Sequence, residues 1–170
     1  AAAPALATTV TFRQGENGYT GAKDTYLQQS SPGTNYGTAE NLNWDADDPS
    51  GTGYDVHTLI RFDNVFGSGT GQVPYGSEIT SATLSYVVYN NGGDGTMHEV
   101  LVNWDPASAT FTSFCGSGCT EGTQFGAQAG TAPSGSATLL SADVTATVQN
   151  WADGVTNLGW FIQTAATDGV

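Results

Sequence analysis

The sequence predicts an all-β fold, a jelly-roll-like β-sandwich with one short helix near residues 143–153. Three observations lead to this class. Short runs rich in β-branched and aromatic residues recur along the chain, separated by Gly, Asn, Asp and Pro. Charged residues make up only 11% of the chain, which also contains 23 glycines, and this composition is typical of extracellular β-proteins. The length of 170 residues suits one domain with one core.

Nine segments carry strand signals. In chain order they cover residues 8–14, 24–29, 41–44, 56–63, 79–89, 96–104, 109–114, 136–140 and 158–163. The segment from Thr83 alternates apolar and polar residues and then runs apolar, which favours a central, well-covered strand. We expect a turn over residues 90–95, which are rich in Asn and Gly, and a large loop over residues 116–135.

One helix is predicted, and it follows Asp143, whose side chain suits a helix cap. Val144, Val148 and Trp151 recur at helical spacing, and Gly154 ends the run. Trp151 is therefore expected to anchor the helix in the core.

Residues 8–170 form a single β-sandwich domain in this interpretation, and residues 1–7 precede it. The opening AAAPALA is either a signal-peptide remnant or a flexible N-terminal arm. Both interpretations indicate an extracellular protein, secreted or at the cell surface. The sequence has no run of about 20 apolar residues, so we expect no membrane insertion.

The charge balance is strongly acidic. Sixteen acidic residues face three basic ones, Arg13, Lys23 and Arg61, and the net charge is −13. Such a field repels nucleic acids, which excludes them as partners. It attracts cations, and Ca²⁺ prefers the carboxylate and carbonyl oxygens that this chain supplies.

Two cysteines, Cys115 and Cys119, enclose a Gly-Ser-Gly loop. In an oxidising compartment two cysteines normally pair, so a local disulfide is predicted. The alternative is a zinc site, which needs two further ligands that only His57 and His98 offer.

Several stretches together resemble the DNRLRE domain, a family of secreted β-sandwich modules also classed among carbohydrate-binding modules. The matching stretches are DTYL (24–27), PGTNYGT (32–38), LIRFD (59–63), ITSATL (79–84), NWDPASATF (103–111), DVTATVQNW (143–151) and NLGW (157–160). They follow the family order over nearly the whole chain.

The resemblance implies an extracellular module with a polysaccharide or other glycan as its partner. Characterised relatives bind acidic polysaccharide such as alginate, but three basic residues offer little to uronate carboxylates. Family members also continue past the segment that ends at Val170 into a final apolar strand. A sandwich without that strand exposes an edge, so the alternative function is a structural subunit of an extracellular filament, sheath or surface layer, assembled from copies of the chain by strand exchange.

Two groups of carboxylates are candidate calcium ligands. Asp45, Asp47, Asp48 and Asp55 are concentrated in one loop, which either binds structural Ca²⁺ or is a solvated acidic turn. Glu16, Asp24 and Asp168 suggest, by analogy with jelly-roll modules, a second cation site that bridges the two ends of the domain. The alternative is that Asp24 caps or starts a strand and Asp168 lies in a turn.

Sugar binding calls for exposed aromatic rings that stack on pyranose C–H groups, beside polar groups that take the hydroxyls. Trp44 and Tyr54 flank the acidic loop and make the best pair, with Tyr36 and Asn43 nearby. Tyr75 and Trp104 are further aromatic candidates, whereas Trp151 and Trp160 are predicted to be core residues.

No catalytic motif is found, since His57 and His98 lie outside known hydrolase patterns. Arg61, between two apolar residues and two positions before Asp63, is interpreted as structural. The sequence therefore predicts a non-catalytic, calcium-stabilised carbohydrate-binding module with no catalytic residues.

Overall fold

The protein is an all-β sandwich, as predicted. A computed structural model describes residues 7–135 and 139–170. In chain order the elements are β1 (Ala22–Gln28), β2 (Val56–Phe62), β3 (Thr83–Val87), β4 (Gly95–Val100), α1 (Phe111–Cys115), β5 (Phe125–Ala132), β6 (Leu139–Asp143), α2 (Thr145–Ala152) and β7 (Trp160–Gln163). One antiparallel sheet has the order β1-β2-β7-β4-β5, and β3 pairs with β6 in a second sheet.

The central strand of the large sheet is β7, which pairs with β2 on one side and β4 on the other. Its apolar residues alternate between the two faces, as a pleated strand requires. Trp160 and Ile162 pack into one core, whereas Phe161 packs into the other. Both faces of the large sheet are therefore covered.

Two hydrophobic cores result. The first lies between the large sheet and the layer formed by β3, β6 and α2, with Met97, Leu84, Ala142 and Trp151 among its residues. The second lies on the opposite face, where α1 and the following loop cover Leu27, Leu59, Val100, Phe125 and Phe161. None of the described helices has the length and apolarity to cross a membrane.

The N-terminal half departs from prediction at two segments. Residues 8–14 form no strand, and most of their side chains are exposed. The chain instead enters two turns, in which the carbonyls of Arg13 and Glu16 accept the backbone N–H groups of Glu16 and Tyr19. Residues 41–44 form no strand either. Trp44 instead exchanges both backbone hydrogen bonds with Val170.

The middle of the chain departs further. Residues 109–114 were predicted as a strand, but α1 begins there because Thr110 and Ser113 form a reciprocal capping box. The predicted loop 116–135 contains β5, an edge strand of the large sheet. Strand β3 is shorter than residues 79–89 and lies in the two-stranded sheet with alternate residues exposed, so the expectation of a central strand was wrong.

The predicted helix is confirmed as α2, with Trp151 in the core. The Asp143 carboxylate accepts hydrogen bonds from the backbone N–H and the hydroxyl of Thr145. The predicted strand 136–140 appears as part of β6, and its residues 136–138 lie outside the described residues.

The C-terminal segment packs on the loop that precedes β2. Backbone hydrogen bonds join Trp44 to Val170 and Ala46 to Ala166, and the Gly169 N–H donates to the Asp45 carboxylate. A Cβ at Gly169 would collide with the Trp44 carbonyl, so this close approach requires glycine. The predicted arm lies mostly outside the described residues, which begin at residue 7.

His57 is a buried titratable side chain in the second core. Its ring packs on Phe161 at 4.7 Å between centroids and on Phe111 at 6.1 Å. Only 5% of the side chain is exposed. Burial lowers the pKa of His57 from 6.5 to about 4. The ring is consequently neutral near pH 7.

We expect His57 to make the fold sensitive to acid. Between pH 6.5 and about 4 the unfolded chain binds a proton at His57 that the folded chain does not, so the free energy of unfolding falls as the pH falls through this window. The loss approaches ~3 kcal/mol at the low end. Urea unfolding of wild type and His57→Gln between pH 7 and pH 4 measures it.

The comparison of slopes isolates the histidine, because the partly buried carboxyls Asp24 and Asp55, whose raised pKa values act in the opposite direction, are present in both proteins. His57→Gln should lose less stability than wild type over the same pH range. Equal slopes in the two proteins would contradict the prediction.

Candidate carbohydrate-binding site

A cleft with a volume of about 310 Å³ opens beside the end of β2. Three chain segments form it: the end of β2 with the loop that follows, the turn that carries Tyr75, and the segment after α2. Its lining residues are Asp63, Asn64, Val65, Phe66, Tyr75, Trp151, Gly154, Val155, Thr156 and Asn157. The cleft thus combines aromatic rings with carboxylate, amide and hydroxyl groups, which are groups that can pack against and hydrogen-bond a ligand.

Tyr75 is the exposed aromatic ring of the cleft, with 65% of the residue accessible. Its ring stacks on buried Phe66, with 5.7 Å between centroids and an interplanar angle of 30°. The neighbouring Gly76 has φ 76° and donates its N–H to the Ala152 carbonyl of α2. Tyr75 is therefore supported from below and held beside the helix end.

Gln72 positions the loop that brings Phe66 and Tyr75 together. Its side-chain amide donates to the carbonyls of Asn64 and Phe66, and its side-chain oxygen accepts from Gly69 N–H. The Val73 N–H also donates to the Val65 carbonyl. These contacts close the loop between β2 and the turn.

The polar wall of the cleft centres on Asp63. Its Oδ2 lies 2.9 Å from Lys23 Nζ, and its Oδ1 lies 2.6 Å from Arg61 Nε. The Asp63 carbonyl accepts the Tyr19 hydroxyl, and burial together with the carboxylate raises the pKa of Tyr19 to about 12. Two of the three basic side chains of the protein are thus paired with this carboxylate.

Arg61 is structural, as predicted. Its guanidinium lies over the Trp104 ring, 5.1 Å from the centroid, and donates to the Asn103 side chain. The residue is buried, and Trp104 is buried with its Nε1 donating to the Leu158 carbonyl. Trp104 is accordingly no exposed platform.

The predicted pair of Trp44 and Tyr54 does not form a stacking platform. Trp44 is only 5% exposed, and its Nε1 donates to the Gly93 carbonyl. It is a core residue, because the C-terminal segment pairs with its backbone and Tyr86 packs against its ring. Tyr54 is 45% exposed in the acidic loop, where its backbone carbonyl accepts the Asp48 N–H. The half-buried Asn43 accepts the Thr58 hydroxyl with its backbone carbonyl.

Tyr36 lies at a second aromatic site, on the face of edge strand β1. Its ring stacks on Tyr26 at 4.1 Å between centroids, and its hydroxyl donates to Gln28. The Gln28 amide donates in turn to the Asp48 carboxylate. Burial, Tyr36 and Asp48 raise the pKa of Tyr26. Since each tyrosine covers a face of the other, the pair offers less ring surface than Tyr75.

The acidic loop is organised by backbone amides. The Asp47 carboxylate accepts from the N–H groups of Gly51, Thr52 and Gly53, each at 2.6 Å, and these bonds lower its pKa. Asp45 likewise accepts from the N–H groups of Asp47 and Gly169.

The predicted calcium ligands are not gathered around one point. Among the described residues, three His, Cys, Asp or Glu ligand atoms lie within 4.8 Å of one another only at His57, Cys115 and Cys119. Asp24, Asp55 and Asp168 are thus no part of a three-carboxylate cluster in this conformation, and calcium stays a prediction. Cys115 and Cys119 form the predicted disulfide.

Comparison with known proteins gives one match. The family model of carbohydrate-binding module family 96 covers residues 16–170. The chain belongs to carbohydrate-binding module family 96. This confirms the carbohydrate-binding class that the sequence resemblance implied, but it does not confirm the DNRLRE name. Neither a curated protein nor a solved structure matched the chain.

Sequence reasoning missed most of the cleft. Tyr75 was a secondary candidate, and Asp63, Asn64 and Asn157 were not considered as ligand-binding residues. The Pro-Tyr-Gly turn around Tyr75 was the available signal, because a turn exposes an aromatic ring more readily than a strand does.

We expect Asp47→Ala to lower the melting temperature in calcium-free buffer, because three backbone N–H groups lose their acceptor. Thermal unfolding followed by circular dichroism measures the change. Asp168→Ala removes the same charge from an exposed position and is the matched control. Equal melting temperatures for the two variants would show that the amide contacts do not stabilise the loop.

Proposed function

We propose that this family 96 module is a non-catalytic, extracellular glycan-binding protein that holds a neutral polysaccharide in the cleft beside β2. The observation that carries the proposal is the exposed Tyr75 ring, supported by Phe66 in a cleft lined by amide and hydroxyl groups. A tyrosine face packs on the C–H groups of a pyranose, while the polar groups accept and donate to its hydroxyls.

The charge of the cleft favours a neutral ligand. Asp63 is its only charged lining residue among those described, and the cations that contact Asp63 are already paired with it. A uronate carboxylate would meet Asp63 without a free basic partner, in a protein of net charge −13. Sugar hydroxyls, in contrast, can donate to a carboxylate.

The carboxylate of the cleft, Asp63, also supports a non-catalytic role. Glycoside hydrolysis uses two carboxyl groups about 5 to 9.5 Å apart on opposite sides of the bond. Within the described residues the cleft presents one carboxylate, and that carboxylate is held by Lys23 and Arg61. An extracellular location is supported by the disulfide and by the acidic, charge-poor composition.

Tyr75→Ala should lower the affinity for neutral polysaccharide roughly tenfold or more, because a central aromatic contact contributes disproportionately to binding. Affinity gel electrophoresis with soluble xylan, mannan and mixed-linkage β-glucan measures the retardation of wild type and variant.

The matched control is Tyr89→Ala, which removes a tyrosine that is 79% exposed and lies outside the cleft. It should bind like wild type. Equal weakening by both substitutions would place the site elsewhere. Retardation by alginate or polygalacturonate but by none of the neutral polymers would refute a neutral ligand.

Calcium stabilisation is also part of the proposal, and it is supported by four aspartates within residues 45–55 and by the net charge. The melting temperature is expected to be higher in calcium chloride than in EDTA, because an ion that binds only the folded state stabilises it. Asp55→Asn should reduce the difference. Identical melting temperatures in both buffers would contradict calcium binding.

A further inference from the structure

The disulfide and His57 meet in the second core. A ring nitrogen of His57 and the Sγ atoms of Cys115 and Cys119 all lie within 4.8 Å of one another. Cys115 is the last residue of α1, and His57 lies on β2. Two elements distant in sequence therefore bring one imidazole to a cysteine pair.

His57 is poorly satisfied where it lies. Its Nδ1 is buried and has no hydrogen-bond partner among the described residues. Its Nε2 lies 4.0 Å from the Asp55 carboxylate, at the open side of the core. Buried polar atoms without a partner are uncommon in folded proteins, and a bound ion is one way to satisfy them.

We propose that the reduced protein binds Zn²⁺ through the two cysteine thiolates and His57. The spacing Cys-x₃-Cys falls within the range of zinc sites, and thiolate with imidazole is a ligand set that zinc favours. Three protein ligands leave the fourth tetrahedral position for water. The Asp55 carboxylate lies 4.0 Å from His57 Nε2, and carboxylates near metal-bound histidines orient the imidazole ring.

The disulfide must be reduced to two thiols before zinc can bind. A dithiol or phosphine reductant supplies two electrons, the S–S bond breaks, and two protons complete the two thiols. Zinc then replaces those two protons, so its binding releases them. In the oxidised protein the sulfurs are bonded to each other and are not available as thiolates, which makes metal binding conditional on reduction.

The surroundings allow this exchange. Gly116 and Gly118 flank the one residue in the middle of the loop between the cysteines, and the loop is exposed, so the sulfurs can separate without moving β2. Cys119 is half-buried, which gives a metal ion access to the pair. The disulfide closes a short loop with a sequence separation of 4, so its loss costs the fold less than the loss of a disulfide across a long loop would.

Metal titration of the reduced full chain tests the proposal. With a phosphine reductant under anaerobic conditions, we expect one Cd²⁺ per chain, detected by thiolate-to-metal charge-transfer absorption. The oxidised protein should show none. X-ray absorption of the zinc-loaded protein should show two sulfurs near ~2.3 Å and a nitrogen near ~2.0 Å.

His57→Gln is expected to weaken binding by at least about tenfold. His98→Gln is the matched control, because His98 is equally buried but bonds Gly126 and Thr96 instead. Circular dichroism checks that each reduced protein is folded.

Two results would overturn the proposal. One is a folded, reduced wild type that gives no charge-transfer absorption. The other is a zinc shell of sulfur and oxygen alone, with His57→Gln binding as tightly as His98→Gln. The zinc site is separate from the cleft, so neither result bears on glycan binding.

Discussion

The fold depends on the burial of β7 on both faces. Because side chains alternate along a strand, Trp160 and Ile162 are committed to the core under β3, β6 and α2, while Phe161 is committed to the core under α1. Burying a phenylalanine such as Phe161 contributes on the order of 2 to 3 kcal/mol. A one-residue slip of the register would exchange the two sets and leave each core with side chains of the wrong size. The other elements therefore arrange themselves around a strand of four residues.

The cleft that we propose as the binding site lies next to β2 and β7, the strands at the centre of the large sheet. The cleft forms where the chain leaves β2, at Asp63, and where it returns from α2 towards β7, at Asn157. The Asn157 side chain bonds the Phe62 carbonyl and Gly159 N–H, so it joins the two strand ends directly. Loops supplied by a fixed scaffold are the usual place for recognition. Here Lys23 and Arg61 are paired with Asp63, and this pairing supports the proposal of a neutral ligand over one that carries carboxylates.

The strands with a clear period were predictable from sequence, and β1, β2, β4 and β7 lie within or close to the predicted segments. Two kinds of feature were not predictable. The first kind depends on local hydrogen bonds: the capping box of Thr110 and Ser113 starts a helix at α1, where the apolar run had suggested a strand. The second kind depends on tertiary structure: Trp44 is buried because its backbone forms hydrogen bonds with Val170, more than a hundred positions away in the chain. Tyr75 combines both kinds, since its own Pro-Tyr-Gly turn favours exposure of the ring, whereas its position depends on Phe66 and on the bond from Gly76 to Ala152.

The cysteine pair shows the same dependence on tertiary structure. From sequence, a disulfide and a zinc site were competing interpretations of Cys115 and Cys119, with His57 and His98 as equivalent further ligands. The fold separates the two histidines: His98 is satisfied by backbone and side-chain partners, whereas His57 lies beside the sulfurs with one nitrogen unpaired among the described residues. A disulfide and a zinc site are then compatible in one protein, because they require opposite oxidation states of the same two sulfurs. In the oxidised state the His57 ring contributes packing on Phe161 and Phe111, and the proposed zinc-bound state would also give its ring a metal partner.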